Sequence, residues 1–223
     1  RYRRTVSGLP TFERVMRGVK LLQDHAVEFN ILATVNRYNA EEPLAFYHFL
    51  KSIGNPYIQF APIVERLRTG AERHAFVEAP FITERPEGRL LHDGADVSMA
   101  PYSILPEQWG YFTTTIFDEW VRTDVGRVFI QLFDATLATW MGVPPGVCLF
   151  LPECGHAAAL EHNGDLYSCD HFVYPRYRLG NVAETPLREL MDRPEQITFG
   201  KAKRQGLTEQ CKECEFLFAC WGE

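Results

Sequence analysis

Six cysteines, Cys148, Cys154, Cys169, Cys211, Cys214 and Cys220, lie in the last third of this 223-residue chain, and the first 147 residues contain none. Counted by intervening residues, they form two sets, C-x5-C-x14-C and C-x2-C-x5-C. A C-x2-C turn lets two thiolates reach one metal, and a four-iron cluster or a tetrahedral zinc takes four such ligands. Each set is one ligand short. Clustering of this kind in a reducing compartment points to metal or cluster ligation rather than to disulfides. The bland alternative is a scatter of buried thiols, and spacing alone does not separate zinc from iron.

The third cysteine opens "CDHF" (169–172), a thiol, a carboxylate and an imidazole side by side after "LEHNGDLYS". Asp170, His156 and His171 are candidate fourth ligands, as are residues beyond Glu223. One cut just after the cysteines accounts for both incomplete sets together, and with no initiator methionine at the start the expectation adopted is a fragment cut at both ends. His156 and His171 read as hydrogen-bonded structural histidines and are left out of the metal site. Asp170 by itself reads as a solvated or capping carboxylate. Asn163-Gly164, with strand-like flanks, is a type I′ hairpin signal, and His162 and Asp165 read as turn polarity.

The elements that must position this module alternate. "TFERVMRGVKLLQDH" (11–25) has apolar residues at helical spacing with Thr11 as N-cap. "VEFNILATVN" (27–36) reads as a strand apolar on both faces, as in a covered parallel sheet. A helix over 41–53 starts with Pro43 and stops at Gly54, and a strand follows over 57–65. This order implies βαβ crossovers and a parallel sheet, open or barrel-like. Residues 66–105 break the rhythm as a long excursion with a short hairpin. "PEQWGYFTTTIFDEWVRTDVG" (106–126) places Trp109, Phe112, Ile116, Phe117, Trp120 and Val121 on one helical face, read as core packing. A short strand and a helical turn follow over 127–142, and "VPPG" (143–146) reads as a boundary.

A net charge of −6 with 46% hydrophobic residues describes a globular chain without the basic face that nucleic-acid binding needs. No run approaches the roughly 20 apolar residues of a membrane span. The N-terminal "RYRRTVSGLP" has no apolar signal-peptide core. The chain reads as cytoplasmic.

Taken together, "CLFLPECGHAAALEHNGDLYSCDHFVYPRYRLGNV", "CKECEFLFAC", "FNILATVNRYNAEEPL", "IQFAPIVER" and "IFDEWVRTDVG" resemble the anaerobic sulfatase-maturating enzymes, radical SAM proteins with a C-terminal SPASM extension. The resemblance covers nearly the whole chain outside 67–100. It implies an α/β fold: residues 1–142 as the later part of a radical SAM (β/α) barrel with an excursion at 67–105, and 143–223 as an incomplete SPASM module. It implies that Cys148, Cys154 and Cys169 bind one auxiliary [4Fe-4S] cluster and Cys211, Cys214 and Cys220 a second, with later cysteines completing both. The family converts a cysteine or serine of a sulfatase to Cα-formylglycine. A 5′-deoxyadenosyl radical takes a β-hydrogen, a base takes the thiol or hydroxyl proton, and an electron leaves, with the auxiliary clusters as its proposed sink.

Asp170 matches the family's proposed base, and an anionic cluster beside it is expected to raise its pKa. Arg3, in the position of an "HDxxR"-like motif, is the residue expected at the carboxylate of S-adenosyl-L-methionine, with Arg4 as its alternative. Gln59 and Asn36 fall at strand positions where such barrels present polar groups, with structural hydrogen bonding as the equal alternative. The resemblance also implies an unfolded or nascent sulfatase polypeptide as substrate and a flavodoxin or ferredoxin as reductant. The Cys-x3-Cys-x2-Cys loop of the SAM-cleaving cluster has no counterpart here, so this chain alone is expected to be inactive. Two rivals remain, another SPASM peptide-modifying enzyme and a non-catalytic zinc-binding interaction module.

Overall fold

The computed structural model describes residues 4–68, 83–84, 90–91 and 97–222. In chain order the helices are α1 (Phe12–Asp24), α2 (Pro43–Ser52), α3 (Pro106–Thr123), α4 (Gln131–Trp140), α5 (Leu187–Met191), α6 (Pro194–Gln205), α7 (Glu209–Lys212) and α8 (Leu217–Cys220). The strands are β1 (Ile31–Val35), β2 (Tyr57–Pro62), β3 (Arg66–Arg68), β4 (Thr83–Glu84), β5 (Leu90–Leu91), β6 (Val97–Met99), β7 (Phe129–Ile130), β8 (Ala159–Leu160), β9 (Asp165–Tyr167) and β10 (Arg178–Asn181). Compactness divides the chain into two units, Arg1–Ile63 with Tyr102–Gln131, and Val64–Pro101 with Leu132–Glu223.

The first unit holds the parallel sheet that the alternating pattern predicts. β1 pairs with β2 from Ile31↔Ile58 to Val35↔Pro62, and β7 pairs parallel to the other edge of β2. Parallel neighbours need a crossover. α2 supplies the first, ending at Ser52 before Gly54 turns the chain at φ +81°.

The structure corrects the strand expectation on one point. β1 buries Ala33 and Val35 but leaves Leu32 62% exposed, so it has one buried face rather than two. α3 sends Phe112, Ile116 and Trp120 inward without exposed surface, whereas Val121, expected on the same face, is exposed at the edge of the stripe. The apolar stripe of α1 contains no buried residue, although Phe12 meets the Phe49 ring. The expected helical turn after β7 is a ten-residue helix, α4.

A polar network fastens the end of α3 to α2. The Tyr47 hydroxyl and the Lys51 ammonium both donate to Asp124 Oδ2 at 2.7 Å, and Trp120 Nε1 donates to the Val128 carbonyl at 2.7 Å. These bonds lead the chain into β7. Burial pushes the Asp124 carboxyl up, but the bonds from Lys51 and Tyr47 outweigh it and hold the group below its ordinary value. Burial and the same carboxylate drive the Tyr47 hydroxyl upward.

In the second unit β3 pairs antiparallel with β6, and between them in sequence β4 pairs antiparallel with β5, so the excursion holds two short ladders where a single short hairpin was expected. The cysteine module is built on a small antiparallel sheet in the order β10-β9-β8, over a core of Leu166, Leu179 and Leu190. Gly180 sits at φ +150°, and a Cβ there would lie 2.7 Å from the Leu190 side chain. Among the described residues no helix is long and apolar enough to cross a membrane.

Asp124→Asn is expected to destabilise the protein by about 1 to 3 kcal/mol, because it weakens a charge-assisted bond and leaves Lys51 without its closest carboxylate. A carboxyl held low in the fold stabilises above its unfolded pKa, and that contribution is lost as pH falls through the folded value. The Asp124→Asn penalty, measured by urea unfolding, should therefore shrink below about pH 4.

Candidate iron-sulfur site

The first three cysteines come from three different local structures in the second unit. Cys148 opens a 3-10 turn over Cys148–Phe150, Cys154 lies in an irregular loop, and Cys169 follows β9 and precedes a 3-10 turn over Asp170–Phe172. All six cysteines are free thiols.

The hairpin feeding Cys169 differs from the expected type I′ turn. Glu161 N–H donates to the Asp165 carbonyl at 2.9 Å, enclosing three residues, and Gly164 alone of these has a positive φ, +87°. A type I′ turn would require Asn163 to be left-handed as well, so this is a three-residue loop closed by a glycine bulge. Asp165 does more than supply turn polarity. Its carboxylate accepts from Arg178 at 2.6 Å and from Asn181 at 3.0 Å, tying β9 to β10. The Arg178 guanidinium, with help from Asn181, holds its pKa down to about 2.

Cys169 is 8% exposed, and its thiol donates to Asp170 Oδ1 at 3.2 Å. Burial pushes the thiol up to about 11; the His171 N–H opposes this, while the Asp170 carboxylate and Cys148 add to it. Asp170 itself is exposed and held below its ordinary value, chiefly by that thiol. This is opposite to the direction expected for the loaded site. The bond needs the thiol proton, and a ligating thiolate has none to donate.

Among the described residues, one group of at least three metal-binding side chains has all its ligand atoms within 4.8 Å of one another: Cys169, Asp170 and His171. His156 is exposed and not part of it. The sulfurs of neither cysteine triad all lie that close to one another.

The second set is bound up with local backbone bonds. Thr208 Oγ1 accepts from Cys211 N–H at 3.2 Å, Cys214 N–H donates to the Cys211 carbonyl at 3.2 Å, and Phe216 N–H points at Cys214 Sγ, 3.4 Å away. A backbone N–H aimed at a sulfur stabilises a thiolate. After Cys220 the chain turns back through Trp221 (φ +50°) and Gly222 (φ +83°), and a Cβ on Gly222 would sit 3.7 Å from Cys211 Sγ. α8 packs on the turn that carries Cys148, and Trp140 of α4 meets Phe218 edge-on at 5.0 Å. A cysteine sulfur facing a backbone N–H and a buried thiol whose proton a metal would displace fit an iron-sulfur group.

Sequence reasoning missed α6. Cys154 N–H donates to the Gly200 carbonyl at 3.0 Å, and the buried Gln196 amide donates to the Gly155 and Ser168 carbonyls at 2.9 and 3.1 Å. A signal was available. A glycine inside a helix costs about 1 kcal/mol relative to alanine, and Gly200 interrupts "PEQITFGKAKRQ". Asn36 is structural, accepting from the N–H groups of Tyr38 and Asn39, and Gln59 lies on the exposed face of β2. Arg3 lies outside the described residues, while Arg4 donates to the Gly8 carbonyl at 2.8 Å.

Residues 152–215 match the SPASM family, described as an iron-sulfur cluster-binding domain. All of this chain aligns at 52% identity with 51% of the serine-type anaerobic sulfatase-maturating enzyme of Bacteroides thetaiotaomicron. The chain is homologous to the anaerobic sulfatase-maturating enzymes. The cysteine-type enzyme of Clostridium perfringens is 26% identical over 99% of this chain and 53% of its own length. A solved structure of that kind, native anSMEcpe with bound AdoMet and Cp18Cys peptide, superposes with a TM-score of 0.76 at 26% identity, covering 98% of this chain and 54% of that one. The chain thus has the fold of these maturases over its length and spans about half the length of the curated relatives it matches.

The Asp165 carboxylate predicts a pH window for the hairpin. Its stabilisation is present above the ordinary carboxylate pKa of about 4 and is lost as pH falls through about 2. The protection factor of the Tyr167 amide, its intrinsic exchange rate at each pH divided by the observed rate, should hold steady at neutral pH and fall toward pH 2, and Arg178→Ala should remove most of that fall.

Proposed function

We propose that this chain is part of a radical SAM oxidoreductase that oxidises a serine or cysteine of a sulfatase polypeptide to Cα-formylglycine. The observation that carries this reading is the exposed Asp170 carboxylate 3.2 Å from the sulfur of a buried, ligand-type cysteine, in a chain 52% identical to a serine-type maturase. That relative favours serine as the residue oxidised. The TM-score of 0.76 with a maturase supports reading residues 1–142 as the later part of the (β/α) barrel and 143–223 as the SPASM module.

In this reading Cys148, Cys154 and Cys169 hold one auxiliary [4Fe-4S] cluster and Cys211, Cys214 and Cys220 another. The packing of α8 on the Cys148 turn supports completion of the first set by a residue C-terminal to Cys220. When bound, the clusters supply an acceptor for the electron released by the substrate. Asp170 accepts the substrate's hydroxyl or thiol proton, a role that needs only hydrogen-bond reach and an ionised carboxylate. Its exposure leaves it accessible to a peptide, and its place on a 3-10 turn fixes it against Cys169. Arg3 binds the carboxylate of S-adenosyl-L-methionine. The polypeptide enters unfolded or nascent, and a flavodoxin or ferredoxin supplies the reducing electron.

The complete gene product, reconstituted without oxygen, should hold about twelve irons in three four-iron clusters, and a Cys169→Ala/Cys211→Ala double variant should lose mainly those of the two auxiliary sites. Zinc in place of iron would overturn the reading. Asp170→Asn should retain its iron and its cleavage of S-adenosyl-L-methionine while losing about 100-fold or more in formylglycine formation, read by mass spectrometry of a sulfatase peptide.

A further inference from the structure

Three residues of α6, Gln196, Gly200 and Lys203, recur at i, i+4 and i+7 and so share one helical face. Each is bonded to main chain beside a different part of the first cysteine set. Lys203 Nζ donates to the carbonyl of Leu149, next to Cys148. The Gly200 carbonyl accepts from the N–H of Cys154 at 3.0 Å. The two protons on Gln196 Nε2 serve the carbonyls of Gly155, just after Cys154, and of Ser168, just before Cys169.

Two further features indicate that the face is built for this contact. A Cβ on Gly200 would lie 2.7 Å from the Cys154 carbonyl oxygen, so helix and cysteine loop touch only because no side chain intervenes. Gln196 is 4% exposed, and its Oε1 is the one buried side-chain oxygen or nitrogen among the described residues without a hydrogen-bond partner. Methionine or leucine would fill the same space without stranding an acceptor. What they lack is a pair of donors that can reach two cysteine-bearing segments at once.

We propose that the Gln196, Gly200 and Lys203 face of α6 is the positioning element of the first cluster site, fixing the three ligand arms relative to one another and setting the electronic environment of the cluster they hold. This rests on the cluster reading of Cys148, Cys154 and Cys169. Outer-shell groups of this kind orient ligands and tune the metal. Lys203 adds a positive charge beside the Cys148 arm, which favours the reduced, more negative form of a cluster.

The test uses the complete, anaerobically reconstituted protein and variants Gly200→Ala, Gln196→Met and Lys203→Met, with iron content, EPR spectra and redox titration resolved by cluster. The expected result is a changed spectrum or partial iron loss at the first auxiliary cluster in Gly200→Ala and Gln196→Met, and a more negative potential for that cluster in Lys203→Met. The signals of the second auxiliary cluster should stay as in wild type. Wild-type spectra and potentials at the first cluster in all three variants would overturn the proposal while leaving the cluster assignment standing. Equal damage to both auxiliary clusters would also overturn it, since α6 would then be a general structural helix. Absence of iron from the wild-type protein itself would instead remove the cluster reading.

Discussion

The contact between the Cys154 peptide and the carbonyl of Gly200 at 3.0 Å is the constraint on which the cysteine module depends. The segments that carry the first three cysteines are short 3-10 turns and loops, and such pieces have few ladder bonds to hold them. A regular helix laid against them supplies order that the loops lack. It can come that close only where the helix is bare, which is why a residue unfavourable inside helices stands there.

The same economy recurs in the rest of the module. β8, β9 and β10 are two to four residues long, below the length at which strand pairing alone is secure. They are held by Asp165, whose carboxylate gathers Asn163, Arg178 and Asn181, and by three leucines beneath. A small core with charged staples is what a module can afford when its sulfur atoms are reserved for another purpose. The first unit is different in kind, since Trp120, Phe112 and Ile116 are fully buried and Phe112 meets Phe60 of the parallel sheet.

Much of this was legible in the residues. Helical spacing gave α2 and α3, the alternation of elements gave the parallel pairing of β1 with β2, and cysteine spacing located the module later matched as an iron-sulfur domain. What escaped has a common cause. The Asn163-Gly164 dipeptide favours a two-residue turn, but the loop length is set by where Glu161 and Asp165 pair across the strands. The exposure of Leu32 depends on which face of β1 the helices cover. Gln196 and Lys203 look like ordinary polar helix residues until α6 is placed against loops some 30 to 50 positions away. Local pattern registers periodicity well and long-range polar pairing poorly.

The excursion between β2 and α3 has one further consequence. Its two ends are joined as a ladder, from Arg66↔Met99 to Arg68↔Val97, and just outside it Ile104 N–H donates to the Ile63 carbonyl at 2.9 Å. The point of departure and the point of return are thus zipped together. A neck of this kind makes the intervening chain an exchangeable cartridge: closing a longer or shorter loop across it changes the entropy only logarithmically.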